Sequence, residues 1–253
     1  MRGDYRIAHM DALIVIPARW GSTRFPGKPL TLIAGETLIG HVIRRAKGSA
    51  RAAAIWVATD DERIATEVVR HGVSATMPLG AFESGTDRIA AALEYIEASA
   101  GHRFDQVINV QGDEPLLDAG AVDALIGVLQ QSDVDIATLC CPIASEDEYL
   151  DPNAVKVVLD RAGNALYFSR SPIPAGGWKG ARRHVGVYGY QRAALARFAS
   201  LPQAPLEQLE RLEQLRALVN GFTIHVLETD APHLGVDRPE DVRRIEQELA
   251  RLR

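Results

Sequence analysis

Residues 12–30 read ALIVIPARWGSTRFPGKPL, and the fold turns on where this stretch changes character. Ala12 to Ile16 is an unbroken apolar run, which suits a strand buried on both faces of a parallel sheet. It gives way to a polar turn carrying Arg19, Arg24 and Lys28, punctuated by Gly21, Pro26, Gly27 and Pro29. Ligands of open α/β sheets bind beyond the carboxyl ends of strands, where this turn sits. Three cations and several free backbone N–H groups there suit a triphosphate. The turn is not a Walker loop, which needs Ser or Thr at the position of Pro29, and GSTRFPG does not supply G-x-G-x-x-G.

Working outward, strand-like and helical segments alternate, which predicts βαβ units and a three-layer α/β fold with a mostly parallel sheet. Thr37 to Lys47 places Leu38, Val42 and Ile43 on one helical face, with basic residues gathered at its end. Ile55 to Ala58 is a strand followed by a helix that Asp61 caps, running to about His71. Thr86 to Ala98 is a further helix, Gln106 to Val110 a strand, and Asp118 opens the next helix. From Ile136 the strand candidates IATLCCPI, AVKVVL, ALYFS and HVGVYGY follow closely, as an antiparallel, hairpin-connected edge or extension. We read a β-rich insertion over about 136–220. One periodic helix is expected from Leu206 to Val219, with Leu206, Leu209, Leu212 and Leu215 forming a seam that suits a dimer face. A strand at Phe222 to Leu227 and a helix from Pro239 complete the reading.

At 253 residues the chain can bury a sizeable core, and 11–253 reads as a single domain. Residues 1–10 read as an N-terminal extension, with Met10 as an alternative start. A net charge of −5 excludes a protein that coats nucleic acid or an anionic membrane. Cys140 and Cys141 are adjacent in an apolar stretch and read as core thiols of a reducing compartment. With no long apolar run and no apolar region in MRGDYRIAH, a cytoplasmic location is expected.

NVQGDEP places Asp113 directly beyond a strand, in a turn forced by Gly112 and Pro115, and GVDRPED places Asp237 before the last helix. Mg²⁺ takes one or two carboxylates plus water and phosphate oxygens, so two separated aspartates are an adequate pair. Asp237 also reads as a plain cap for the helix after it. Ser84, Gly85 and Thr86 read as a cap for the helix at Asp87. Asp60, at a strand end, is a weaker candidate.

PARWGSTRFPGKPL, NVQGDEP, DPNAVKVV and GVYGY together resemble the CMP-Kdo synthetases (3-deoxy-manno-octulosonate cytidylyltransferases), over nearly everything from Leu13 onward. The resemblance implies a Rossmann-like nucleotidyltransferase fold and transfer of CMP from CTP to Kdo (3-deoxy-manno-octulosonate), for lipopolysaccharide biosynthesis. It implies that Arg19, Ser22, Arg24 and Lys28 hold the CTP phosphates, and that Ser84, Gly85, Thr86, Arg88 and Gln111 line the nucleotide pocket. Asp113 and Asp237 are implied as Mg²⁺ ligands, making Arg19, Lys28, Asp113 and Asp237 the catalytic set. Gln111, Arg170, His184, Tyr188, Glu213 and Gln214 would surround the sugar, and a homodimer is implied.

The segment between Ile173 and His184 is shorter than in many family members. Lys179, Arg182 or Arg183 would take over the sugar-binding role of the longer loop, and Gly176, Gly177 and Gly180 would allow a closing flap. His184 is a possible general base. The alternatives are a cytidylyltransferase for 8-amino-Kdo or a sialic acid, and a non-catalytic nucleotide-binding module; the latter predicts loss of Lys28, Asp113 or Asp237, and all three are present.

Overall fold

The structure, a computed structural model, describes residues 11–21, 25–80, 82, 85–131, 133–231 and 233–251. In chain order its elements are β1 (Ala12–Ala18), a two-residue ribbon β2 (Leu32–Ile33) and β3 (Glu36–Thr37), α1 (Leu38–Ala46), β4 (Ala52–Thr59), α2 (Glu62–Arg70), β5 (Ser74–Thr76), α3 (Gly85–Ala100), β6 (Gln106–Asn109) and α4 (Ala119–Val128). There follow β7 (Ile136–Pro142), α5 (Glu146–Leu150), β8 (Lys156–Leu159), β9 (Ala165–Ser169), β10 (Arg182–Gln191), α6 (Arg192–Ala199), α7 (Pro205–Glu210), α8 (Gln214–Val219), β11 (Ile224–Glu228) and α9 (Asp241–Arg251).

The main sheet runs β11-β7-β10-β6-β1-β4-β5. β1 pairs parallel with β4 and β6, β4 with β5, and β7 with β11, while β10 runs antiparallel between β6 and β7. β1 explains its apolar run directly. Ile14 and Ile16 join one buried cluster with α1 and α4, and Leu13 and Val15 join the other with α3 and α6. Side chains of a strand alternate between faces, so a strand covered by helices on both must be apolar throughout.

The helix starts are cut where the sequence places them. Thr37 accepts from the Gly40 N–H, Asp61 from Arg63, and Asp118 from Gly120 and Ala121. Cys140 and Cys141 are buried free thiols, and burial pushes the Cys140 thiol up to about 12, far from any reactive range.

Two expectations need correction. The strands after Ile136 pair antiparallel as read, β7 with β10, β10 with β8 and β8 with β9, but only β8 and β9 form a hairpin, and β7 and β10 lie inside the main sheet and not at its edge. The continuous strand candidates were legible, but the long crossovers that make a parallel pair do not show in strand composition.

The helix expected over Leu206 to Val219 is two helices. Arg211 takes a left-handed backbone, φ 55°, ψ 48°, and its N–H closes onto the Glu207 carbonyl. The leucine seam divides with it: Leu212 and Leu215 are buried within this chain, whereas Leu209 is 80% exposed. Continuous helical spacing across 206–215 concealed a stop that a glycine would have advertised.

Candidate functional site

The site forms where the loops after β1 and β6, the start of α3 and the segment before α9 meet at the carboxyl edge of the sheet. Pro17 is the wedge. A Cβ on Gly112 would stand 2.7 Å from the Pro17 carbonyl oxygen, and one on Gly85 would stand 3.3 Å from the Pro17 ring. Glycine at 112 therefore lets the Asp113 turn lie directly on the end of β1.

The loop after β1 closes on itself through the Gly27 N–H, which donates to the Trp20 carbonyl at 3.1 Å. Gly27 sits at φ 70°, against the Trp20 ring. The Arg63 guanidinium lies 3.4 Å from the centre of the same indole. Asp60 joins two parts of the site, accepting from the Trp20 N–H at 2.9 Å and from Arg88 at 3.4 Å.

Lys28 is aimed inward by this loop. Its ammonium contacts Asp113 at 2.6 Å and the Val236 carbonyl at 2.7 Å, and stands 3.9 Å from Asp237. The Val236 N–H in turn donates to the Asp113 carbonyl at 2.9 Å. Residues 85 and more than 200 positions apart in the chain thus share one cation.

Asp237 is held from behind by α9, whose Ile245 and Leu249 pack with Val236, Ile33 and Leu38. Each such burial contributes about 2 kcal/mol. Asp241, the first residue of that helix, accepts with its carboxylate from the Asp237 and Arg238 N–H groups. The Asp237 side chain lines a polar cleft of about 530 Å³ with Asp113, Glu114 and Asn153.

Glu114 is the unexpected member. Burial, with Asp113 second, raises its carboxyl to about 7, opposed by Arg183 and Lys28. One of its oxygens is buried without a hydrogen-bond partner among the described residues. The sequence contained Glu114 within QGDEP but gave no sign that its side chain would be turned inward.

Two carboxylates flanking one cation, with only oxygen donors around them, fit a small hard divalent ion that completes its shell from water and phosphate. Among the described residues no group of three or more His, Cys, Asp or Glu stands in metal-binding geometry. A two-carboxylate site needs no such group.

On the other flank, β9 and β10 present an aromatic column. Phe168, His184, Tyr188 and Tyr190 follow at 5.1, 5.2 and 6.0 Å between successive ring centres. Gln111 approaches this column beside Gly186, and its amide donates to Asn109 at 3.3 Å. His184 Nε2 meets the Thr138 hydroxyl at 3.0 Å. Burial, helped by the Arg183 charge, lowers this imidazole to about 3, so it is neutral at pH 7 and a poor general base.

The α7–α8 segment closes that flank. The Thr86 hydroxyl donates to Glu213 Oε2 at 2.9 Å, and Arg216 stands 3.9 Å from Glu213 and 4.0 Å from Asp87. Arg216 is itself fixed by two bonds to Glu207, at 2.9 and 2.6 Å. Gln214 is buried beside it. Nothing in the sequence spacing pointed to Arg216 or Glu207.

The remaining predicted residues take varied places. Arg19 is exposed at the end of β1, and Gly85 opens α3. Ser22, Arg24 and Ser84 lie outside the described residues. Arg170 donates to the carbonyls of Glu210, Pro152 and Arg211 at 3.0, 2.9 and 3.3 Å, clamping α7 to the chain.

Arg182 pairs with Glu228 at 3.1 Å and Arg183 with Glu148 at 2.8 Å, while Lys179 stays by Trp178. The loop before β10 is anchored: Trp178 packs with Ile143, Tyr149 and Ala181, and the Tyr149 hydroxyl donates to the Pro174 carbonyl.

Comparison with known proteins agrees with this arrangement. A family profile described as "Cytidylyltransferase" matches residues 13–226. The 3-deoxy-manno-octulosonate cytidylyltransferase of Syntrophotalea carbinolica is 44% identical, the match covering 96% of this chain and 100% of that one. The namesake from Thermodesulfovibrio yellowstonii is also 44% identical, covering 94% and 98%.

A solved structure of CMP:2-keto-3-deoxy-manno-octonic acid synthetase complexed with CTP superposes with a TM-score of 0.86 at 40% identity, covering 96% of this chain and 100% of that one. A cytidylyltransferase from Leptospira borgpetersenii, 18% identical with a TM-score of 0.65 and covering 96% and 88%, shares the fold. A cationic loop after the first strand, a carboxylate turn behind it and this degree of likeness along nearly the full length converge, and the chain belongs to the cytidylyltransferase family.

Proposed function

We propose that the chain transfers CMP from CTP to Kdo, giving CMP-Kdo and diphosphate. The observation that carries the reading is the convergence of Lys28, Asp113 and Asp237 at the end of β1, next to an aromatic, polar-ended acceptor flank. The anomeric hydroxyl of the sugar attacks the α-phosphorus in line, its oxygen forms the new P–O bond, and the bond to the β-phosphate breaks. Its electron pair leaves on diphosphate, and the hydroxyl proton passes to solvent. Negative charge grows on the leaving phosphates, where Arg19 and Lys28 neutralise it.

Mg²⁺ held by Asp113 and Asp237 would supply Lewis-acid polarisation of the α-phosphate. Lys28 keeps the two carboxylates from repelling one another in its absence. No protein base is required, which accords with the low basicity of His184. The neutral His184 and Tyr188 offer hydrogen bonds to sugar hydroxyls, with Gln111, Glu213 and Gln214 around them. The same reading carries a cytoplasmic homodimer; among the described residues no helix is long and apolar enough to cross a membrane.

The test is diphosphate release by purified protein with Mg²⁺, CTP and, in turn, Kdo, 8-amino-Kdo and a sialic acid. Turnover greatest with Kdo is expected. Turnover with a sialic acid and none with Kdo would overturn the acceptor assignment.

A further inference from the structure

Thr86 lies in the first turn of α3, beside the Gly85 that packs on Pro17, and its side chain is turned into the molecule. It is 2% exposed, and its hydroxyl donates to Glu213 Oε2 at 2.9 Å, across 127 positions of sequence. A threonine hydroxyl has one proton, so that proton is committed. The hydroxyl is thereby spent on a side chain of the α7–α8 segment and not directed into the crevice.

Glu213 is reached from two further directions. The Arg216 guanidinium lies 3.9 Å away, 4% exposed, and is locked by Glu207, with Asp87 at 4.0 Å, one residue beyond Thr86. Tyr190 continues the aromatic column that carries Tyr188 and His184. One polar network therefore joins the first turn of α3 to the α7–α8 segment, beside the aromatic column of β10.

We infer that Thr86 is a positioning residue for the acceptor rather than a contact of the nucleotide: its hydroxyl fixes the Glu213 carboxylate at the sugar flank, with Arg216 supporting the same carboxylate from below. This rests on the acceptor reading given above. The Thr86 hydroxyl holds one oxygen of this carboxylate and Arg216 lies beside the other, so loss of the Thr86 bond lets the carboxylate rotate out of register with the sugar.

The test compares Thr86→Val, which keeps shape and removes the proton, with Thr86→Ser, which restores it. CTP binding is measured by calorimetry with Ca²⁺ or Mg²⁺ and no sugar, and KM for Kdo by diphosphate release. For T86V the CTP Kd is expected within twofold of the parent and the Kdo KM raised about tenfold, with T86S restoring the parent value. A tenfold rise in the CTP Kd, or an unchanged Kdo KM in a folded T86V, overturns the inference. The calorimetric half is independent of the acceptor's identity, and a parent protein inactive with Kdo is a failure of the acceptor reading that shows before any variant is compared.

Discussion

Asp113 is tied to the end of β1 by a glycine that has no room for a methyl group and to Lys28 by a 2.6 Å ion pair. That pair is partly exposed and contributes less than about 1 kcal/mol. Asp113→Asn should therefore shift the thermal midpoint by no more than about 4 °C. Turnover should fall about 100-fold or more, because a charge at the reacting phosphates is lost. Steady-state kinetics beside a melting curve checks both; parent-like turnover removes Asp113 from the metal site. The residue scale was also where the sequence was most legible. Lys28, Asp113 and Asp237 stand in loops whose local chemistry is unusual. Arg216 and Glu207 are a buried pair in ordinary helical sequence, visible once the chain is folded.

Elements explain why Arg170 behaves as it does. Resemblance places it at the sugar, while in the structure its guanidinium spans three carbonyls on two segments, holding α7 and the Arg211 turn in place. A lysine cannot reach three acceptors from one planar fork. Arg170→Lys is expected to lose about 2 kcal/mol and about 4–8 °C of thermal midpoint, with a raised acceptor KM. A raised KM at an unchanged midpoint would assign Arg170 to the ligand instead.

The same scale shows where sequence reading failed. Strand and helix existence came from periodicity and caps, and Asp61 and Asp118 cap as read. The place of the strands after Ile136 in the sheet did not: they pair antiparallel as read, but the inner position of β7 and β10, with β7 parallel to β11, is decided by packing across the molecule. The break at Arg211 was hidden by leucines that keep helical spacing on both sides of it.

At the scale of the molecule, His233 sets a limit on acid stability. It is 3% exposed, and burial, helped by Arg183, lowers its imidazole from 6.5 to about 4. Between those values the unfolded chain takes up a proton that the folded one refuses. Stability is unaffected by this group above pH 6.5 and falls as pH drops toward 4, by about 3 kcal/mol in all. His233→Leu, which forfeits no hydrogen bond among the described residues, should flatten the decline of the thermal midpoint between pH 6.5 and 4. An equally steep decline in the variant would place the acid sensitivity elsewhere.

The central claim is that the crevice of Lys28, Asp113 and Asp237 directs attack onto the α-phosphate of CTP. Following the fate of radiolabelled phosphate at early times, with Mg²⁺ and Kdo, tests it most directly. Label in the α position should move into a phosphatase-resistant sugar diester, and label in the γ position should leave as diphosphate. Release of the γ-label as inorganic phosphate, or retention of the α-label in CTP, would contradict it.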